Sequence, residues 1–197
     1  MNETQATISQ AFGDGIRLRQ QCAESLAAAL EAAAGLMVDC LKQGGKILAC
    51  GNGGSAADAQ HFAGELVNRF EQDRPGLAAV ALTHDSSVIT SIANDISFDY
   101  VYARQVEALG RPGDVLLAIS TSGNSPNVVV AAEASAARKM PVIALTGKDG
   151  GALSEHSAVT MHLNIPHTST PRIQEMHITC LHILCSLIDQ SLYGASS

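Results

Sequence analysis

Apolar residues recur at helical spacing over the first part of the chain, from about residue 5 to residue 42. The residues at this three- and four-residue spacing include Leu26, Leu30, Ala33 and Met37. Such a pattern predicts amphipathic helix. Gly13 and Gly15 are the expected points of a break, and Gly44 and Gly45 the expected end. A helical lead of this length needs something to pack against, and another subunit is the expected partner.

After Gly45 the pattern changes to short apolar runs that alternate with helical stretches. We predict strands near residues 46–50, 78–83, 115–119, 141–146 and 158–165, and helices near 55–70, 86–93, 98–109, 126–139 and 171–192. The run 115–119 is apolar throughout, which is typical of parallel strands covered on both faces. The chain is therefore expected to form one α/β domain over residues 1–197, with a long N-terminal helical extension at about 1–43. Its predicted core is a doubly wound, mainly parallel five-stranded sheet sandwiched by helices.

Two polar loops, 50–55 and 120–125, each leave an apolar run and open a predicted helix. Ligands of parallel sheets bind beyond the carboxyl ends of the strands, which is where both loops fall. Hydroxyls and free backbone N–H groups at helix N-termini are suited to phosphate, because the helix dipole points at the anion. The sequence therefore predicts a small phosphorylated ligand.

Each loop also carries helix-capping signals. In the second loop Ser125 is the predicted N-cap and Pro126 the first helical residue, and a serine-rich surface turn is the alternative. In the first loop Ser55 is the predicted N-cap, with Asp58 as a weak capping-box partner. Glycines that only let the chain turn sharply are the alternative there.

The first loop also fits a dinucleotide-binding fingerprint, read as Gly51-x-Gly53-x-x-Ala56. That fingerprint requires an acidic residue about 20 positions on, at the end of the next strand. The next predicted strand ends near Thr83, and Asp85 lies well beyond the required spacing. Glu71 and Asp73 precede that strand. Nicotinamide binding is therefore the minor alternative.

The helix after the first loop carries His61, Glu65 and Arg69 at four-residue steps, so the three share one helical face. His and Glu at this spacing can chelate one metal ion or act as a proton-transfer pair, and an exposed charge pair is the alternative. On the last helix Gln174 and His182 are eight residues apart, about 12 Å along the axis. One metal could hold both from the same helix only with strain, so His182 is expected from a neighbouring subunit if both serve one site.

Composition limits which binding partners and which cellular compartment are expected. The 197-residue chain has a formal net charge of −7 and no basic run, so neither nucleic acid nor a membrane surface is an expected partner. No apolar run approaches the about 20 residues of a membrane span. The five cysteines are scattered, which favours buried free thiols and a cytoplasmic location.

Several of these segments resemble the sugar isomerase (SIS) domain family. The matching segments are 50–55, 58–63 with Glu65, Asn94 and Asp95, 113–124, 144–151, and 172–177 with His182. Within the family the chain resembles the enzymes that convert D-sedoheptulose 7-phosphate to D-glycero-D-manno-heptose 7-phosphate for the lipopolysaccharide core. This resemblance implies aldose–ketose isomerisation of a phosphorylated heptose through an enediol.

The same resemblance implies a homotetramer with active sites at subunit interfaces and one Zn²⁺ per subunit. Its implied catalytic residues are Glu65 and His182. The implied zinc ligands are His61, Glu65, Gln174 and His182. The implied substrate-binding residues are Asn52, Gly53, Gly54, Ser55, Glu65, Arg69, Asn94, Asp95, Ser120, Thr121, Ser122, Ser125 and Gln174.

A rival function comes from the same family. One relative binds the replication initiator protein instead of isomerising sugars, and this chain shares with it the segments 68–71 and 93–95. That relative lacks the carboxylate that matches Glu65 and the imidazole that matches His182, and this chain has both. The isomerase hypothesis is therefore favoured, while a non-catalytic regulator and a phosphosugar-sensing module remain the alternatives.

Overall fold

The computed structural model describes residues 2–194. The strands in this part of the chain are β1 Ile47–Gly51, β2 Ala79–Ala81, β3 Val115–Ser120, β4 Val142–Gly147 and β5 Met161–Ile165. The α-helices are α1 Glu3–Ser25, α2 Ala27–Lys42, α3 Gly54–Val67, α4 Ser86–Asp95, α5 Ala103–Leu109, α6 Pro126–Ala137 and α7 Thr170–Tyr193. Short 3-10 helices occupy Phe98–Tyr100 and Gly151–Leu153.

The strands form one sheet in the order β2-β1-β3-β4-β5, and every neighbouring pair is parallel. Ala49 of β1 lies opposite Leu117 of β3, which lies opposite Ile143 of β4. All residues of these three central strands are buried. The predicted parallel five-stranded sheet is therefore confirmed, including its uniformly apolar central strands.

Two apolar layers cover the sheet. On one face α1, α2, α3 and α7 contribute a core that includes Met37, Phe62 and Leu181. On the other face α5 and α6 contribute residues such as Val106 and Val128. Because both faces are covered, the central strands need no polar residues until their carboxyl ends, where the loops begin.

The break in the N-terminal helices falls at Leu26, so the prediction of a break at Gly13 or Gly15 is wrong. Both glycines lie inside α1, which begins with a capping box between Asn2 and Gln5. A glycine costs about 1 kcal/mol inside a helix but does not end one that is held by its neighbours. The bend at Leu26 instead lets both helices direct buried residues toward α7.

The interior holds thiols as well as hydrocarbon. All five cysteines are free and buried, and burial raises the pKa of Cys50, Cys180 and Cys185 to about 12. These side chains are therefore neutral packing groups near pH 7. Within the described residues, no helix combines the length and apolar character needed to cross a bilayer.

One fully buried histidine connects α7 to the sheet. The His177 side chain donates from Nε2 to the Thr146 carbonyl oxygen at 2.9 Å, at the carboxyl end of β4. Its Nδ1 atom has no hydrogen-bond partner among the described residues. Burial lowers the pKa of His177 to about 4, and the hydrogen bond to Thr146 offsets this only in part.

This burial predicts acid sensitivity. Because the folded protein binds the His177 proton more weakly than the unfolded chain, the stabilisation present above pH 6.5 is lost as the pH falls toward 4. We expect this residue to lower the free energy of unfolding by about 3 kcal/mol between pH 7 and pH 4. Urea unfolding of the wild type and of His177→Gln at pH 7 and pH 4 measures how far the free energy of unfolding of each protein falls between the two pH values. An equal fall in the two proteins would contradict the prediction.

Candidate active site

The first loop enters α3 through glycine rather than serine. The N-cap of α3 is Gly53 at a φ of 56°, a left-handed conformation that favours glycine. Ser55, predicted as the N-cap, is instead the second residue of α3 and is 3% exposed. A Cβ on Gly51 would lie 2.7 Å from the Ser55 carbonyl oxygen and 2.9 Å from that of Ile119. The strand end and the helix start therefore pack backbone against backbone, which leaves no room for the predicted capping geometry.

Asn52 joins the two loops. Its Nδ2 atom donates to Asn127 Oδ1 at 2.8 Å, and Asn127 Nδ2 donates back to Asn52 Oδ1 at 2.9 Å. The Tyr102 hydroxyl donates to the Gly51 carbonyl oxygen at 2.5 Å and lies 3.3 Å from Asn52 Oδ1. Asn127 is 1% exposed on the first turn of α6. Neither partner was predicted from the sequence, although an amide beside Pro126 at a helix start was a usable signal.

The hydroxyls of the second loop face one another. Ser120 Oγ lies 2.9 Å from Ser125 Oγ, and Ser122 Oγ accepts from the Asn124 backbone N–H at 3.2 Å. Ser125 occupies the N-cap position and Pro126 the first helical position, as predicted. No side chain in the described residues caps α6, because Ser125 turns toward Ser120 instead. The helix N-terminus is therefore open to an anion.

The connection between β4 and β5 supports the second loop from behind. Gly123 has a φ of 66°, and a Cβ there would lie 1.8 Å from the Gly150 carbonyl oxygen. The Leu153 N–H donates to the Gly123 carbonyl oxygen at 3.1 Å, and the Ala152 N–H donates to Asn124 Oδ1 at 2.8 Å. The loop is thus held in shape by one backbone hydrogen bond, one hydrogen bond to the Asn124 side chain and the close approach of Gly123 to Gly150.

The predicted catalytic residues Glu65 and His182 both contact a third residue, His61. His61 Nε2 lies 3.0 Å from Glu65 Oε1 and 3.1 Å from His182 Nε2. The His182 ring also packs against Phe70, with ring centroids 5.5 Å apart. All these contacts form within one chain, so the expectation that His182 comes from a neighbouring subunit is not needed for its contact with His61. We call His61, Glu65 and His182 the histidine cluster.

Gln174 lies apart from the histidine cluster. Its amide nitrogen would be 2.3 Å from a Cβ on Gly54, which places Gln174 beside the first turn of α3. His61 is seven residues further along that helix, about 10 Å at the usual rise. Among the described residues no group of three or more His, Cys, Asp and Glu side chains is arranged to hold a metal ion. One chain thus brings three predicted ligands into contact and leaves the fourth beside the loops.

Three other predicted substrate-binding residues form polar contacts with near neighbours in the sequence. The helix α3 ends at Val67, so Arg69 is not on its face as predicted, and Arg69 Nε lies 3.5 Å from Asp73 Oδ1. Asn94 and Asp95 are exposed at the end of α4, where Asn94 Nδ2 donates to Asp95 Oδ1 at 2.8 Å. The predicted helix to residue 70 was too long because apolar spacing alone does not mark a helix end.

Asp58 is a further titratable group near the histidine cluster. Its Oδ2 atom is buried and has no hydrogen-bond partner within the described residues. The N-cap of α3 is Gly53, so the predicted capping box between Ser55 and Asp58 is wrong. Burial raises the pKa of the Asp58 carboxyl to about 6, and nearby His61 offsets part of that shift. A perturbed carboxyl beside a histidine pair is typical of a functional site.

The parallel sheet and the open serine loop define an α/β domain with a candidate anion site at the carboxyl ends of its strands. The family model described as "SIS domain" matches residues 12–147. The chain belongs to the SIS domain family.

Comparison with individual relatives places the chain more closely within the family. The chain is 61% identical over 184 residues to the phosphoheptose isomerase of Thiobacillus denitrificans, covering 93% of each chain. It is 58% identical to that of Aromatoleum aromaticum, covering 95% of each. The solved phosphoheptose isomerase of Neisseria gonorrhoeae superposes with a TM-score of 0.88 at 50% identity, over 95% of this chain and 99% of that one. Within the family, the chain belongs with the phosphoheptose isomerases.

The support behind the second loop predicts the effect of a single methyl group. In Gly123→Ala the new Cβ would overlap the Gly150 carbonyl oxygen, so the loop must move. We expect about tenfold weaker binding of a phosphorylated sugar, a loss of about 1.4 kcal/mol, measured by titration calorimetry.

Gly113→Ala is the matched control for this prediction. Gly113 also has a positive φ, of 91°, but nothing lies within 4 Å of its Cβ position. It precedes the amino end of β3, whereas the second loop follows the carboxyl end of that strand. This variant should share the backbone strain and keep its affinity. Equal losses of affinity in both variants would mean that strain, and not loop position, is responsible.

Proposed function

We propose that this chain converts D-sedoheptulose 7-phosphate to D-glycero-D-manno-heptose 7-phosphate, as an aldose–ketose isomerase. The relatives named phosphoheptose isomerase support the reaction class. The observation that carries the proposal is the contact of both Glu65 and His182 with His61, which gathers a carboxylate and two imidazoles on adjacent helices. Carboxylate and imidazole are the side chains that most often move protons in enzymes.

In this proposal the second loop holds the phosphate. The hydroxyls of Ser120, Thr121, Ser122 and Ser125 donate to its oxygens, together with the open N-terminus of α6. Because the loop is already supported by the β4–β5 connection, phosphate binding fixes the sugar without reorganising the protein. Asn52 and Gln174 lie beside the start of α3 and contact the sugar hydroxyls. Binding at this remote end positions the reacting carbons.

The reaction moves one proton between neighbouring carbons. Glu65 takes the proton from C1 of the ketose, and the electron pair forms the C1–C2 double bond of the enediol. His182 gives a proton to the C2 oxygen and takes the proton from the C1 hydroxyl. The proton on Glu65 then returns to C2, which yields the aldose and restores the carboxylate.

We also propose that the histidine cluster holds zinc. Imidazole nitrogens and a carboxylate oxygen are typical zinc ligands. His61 Nε2 faces Glu65 Oε1 and His182 Nε2 at once, and a single ring N–H cannot be shared well between both. These donors suit zinc by their chemistry, but the described residues of one chain do not arrange three of them for a metal ion, so we place the completed site in the assembly. Bound zinc would polarise the sugar carbonyl and hydroxyl oxygens.

A homotetramer with active sites between subunits is the proposed assembly. The side chain of His61 on α3 is 46% accessible. Val67 on the same helix and Ile183 on α7 are also exposed. The exposed apolar residues of α1 recur every four residues at Ile8, Phe12 and Ile16. A cavity of about 510 Å³ with mostly apolar walls lies between α1, α2 and α7. Self-association would cover these surfaces, bring Gln174 of another copy within reach and exclude water from the cluster.

The cytoplasm is the proposed compartment, because five buried free thiols suit reducing conditions. A regulator that binds the replication initiator is the rival function. It has no use for a proton-transfer pair, so turnover by the purified protein separates the two.

The catalytic role of Glu65 predicts the effect of one isosteric change. Glu65→Gln keeps the side-chain size but cannot accept the C1 proton, so kcat should fall by about 10²–10⁴-fold. Affinity for the sugar phosphate should stay within about threefold of the wild type, since the phosphate loop is untouched. Incubation with sedoheptulose 7-phosphate and detection of the aldose measures turnover.

Glu107→Gln is the control for this change, because Glu107 is paired only with the exposed Arg104 in the described structure. It should turn over like the wild type. Substantial turnover by Glu65→Gln would reject the role given to this carboxylate.

The zinc proposal predicts a loss of bound metal in His61→Ala. Removal of one ligand typically lowers metal affinity at least as much as the 10–100-fold seen for outer partners. Elemental analysis after dialysis should find one zinc per wild-type chain and little in the variant. His156→Ala is the matched control, since His156 forms a similar pair with Glu133 at 3.2 Å far from α3. A wild-type protein that retains no zinc would refute this part of the proposal.

A further inference from the structure

Arg74 is a buried cation that contacts both helices of the histidine cluster. Its side chain is 1% exposed, and Nε donates to Asp189 Oδ1 on α7 at 2.7 Å. Nη2 donates to the backbone carbonyl oxygen of Glu65 at 2.8 Å, and Nη1 donates to that of Leu66 at 2.7 Å. One guanidinium therefore bonds the main chain of the proposed base and a carboxylate of the neighbouring helix.

The end of α3 explains why a cation is stable there. The last four carbonyl groups of a helix have no partners within the helix, and α3 ends at Val67. Arg74 donates to the Glu65 carbonyl and, together with the Leu77 N–H, to the Leu66 carbonyl. Its positive charge complements the negative end of the helix dipole. Its planar fork of donors suits several acceptors at fixed positions, which the single ammonium of lysine cannot match.

Asp189, the partner of Arg74 on α7, lies about two helical turns after His182 of the histidine cluster. Asp189 follows His182 by seven residues, so both lie on the same helical face. Asp189 is 4% exposed, and its Oδ2 atom has no hydrogen-bond partner in the described part of the chain. Arg74 is the side-chain partner of this carboxylate in the described part of the chain. A shift of the guanidinium would move the end of α3 relative to the part of α7 that carries His182.

We propose that Arg74 is a positioning residue, which sets the separation of the Glu65 carboxylate and the His182 imidazole by fastening the end of α3 to α7. This inference rests on the isomerase function proposed above. The alternative is that the ion pair only stabilises the fold. Buried ion pairs can often be replaced by apolar residues without loss of stability, so stability alone does not explain a fork bonded to the Glu65 backbone. A misplacement of about 1 Å in a catalytic group can lower the rate about 10²-fold.

Two variants test the positioning role. Arg74→Lys keeps the charge beside Asp189 but loses the fork. The double variant Arg74→Met with Asp189→Leu removes both charges together and leaves no unpaired carboxylate. We expect kcat to fall about 100-fold in both, with KM within about threefold of the wild type. Assays use sedoheptulose 7-phosphate at a temperature where circular dichroism shows each protein folded.

Lys46→Met is the matched control. Lys46 Nζ lies 2.5 Å from the buried Asp114 at the amino edge of the sheet, far from the histidine cluster. This variant should lower the melting temperature and leave kcat unchanged. An equal fall of kcat in Lys46→Met would show that general destabilisation is the cause and would overturn the inference.

The remaining outcomes separate the positioning role of Arg74 from the isomerase function. Wild-type kcat in either Arg74 variant, or a raised KM at unchanged kcat, would overturn the positioning role while leaving the isomerase function intact. A wild-type protein without turnover would refute the isomerase function first, and the inference would fail with it.

Discussion

The site depends on the packing of α3 against α7. The two helices run side by side, so that Gly54 lies against Gln174 at one end and His61 against His182 two turns later. Gly54 permits this contact, because a Cβ there would lie 2.3 Å from the Gln174 amide. The small residue at the start of α3 thus leaves room for the Gln174 amide beside the first loop. Phe62 and Leu66 of α3 and Leu181 of α7 belong to one buried core layer, which holds the two helices together.

Much of the fold was predictable, because uniform apolar runs such as Val115–Ser120 have few stable solutions other than a covered parallel strand. The positions of both loops followed from the same argument. Details that depend on tertiary contacts were not predictable. The bend at Leu26, the entry of α3 at Gly53 and the end of α3 at Val67 are not marked in the apolar spacing. Gly51, just before α3, packs against Ile119 of another strand, and the end of α3 bonds Arg74. Apolar spacing does not indicate such contacts.

The site was predictable to a similar degree. The four-residue step from His61 to Glu65 indicated a shared helical face, and the two side chains are 3.0 Å apart. The partnership of His182 with His61 joins residues 121 positions apart, which a local pattern cannot reveal. Asn127, Tyr102 and Arg74 were missed for the same reason, since each acts through a long-range contact. The SIS fold by itself does not define a reaction, so the chemistry of these particular side chains decides the function.

The reciprocal amide pair of Asn52 and Asn127 has a consequence for recognition. Each amide donates to and accepts from the other, so neither can rotate without breaking two bonds at once. The two loops are therefore expected to respond to a ligand as one rigid body, with their ordering entropy already lost during folding. A phosphate group alone would then bind readily whatever molecule carries it. Discrimination among phosphorylated metabolites must accordingly arise at the far end of the ligand, where the carbon chain either reaches the imidazoles or falls short.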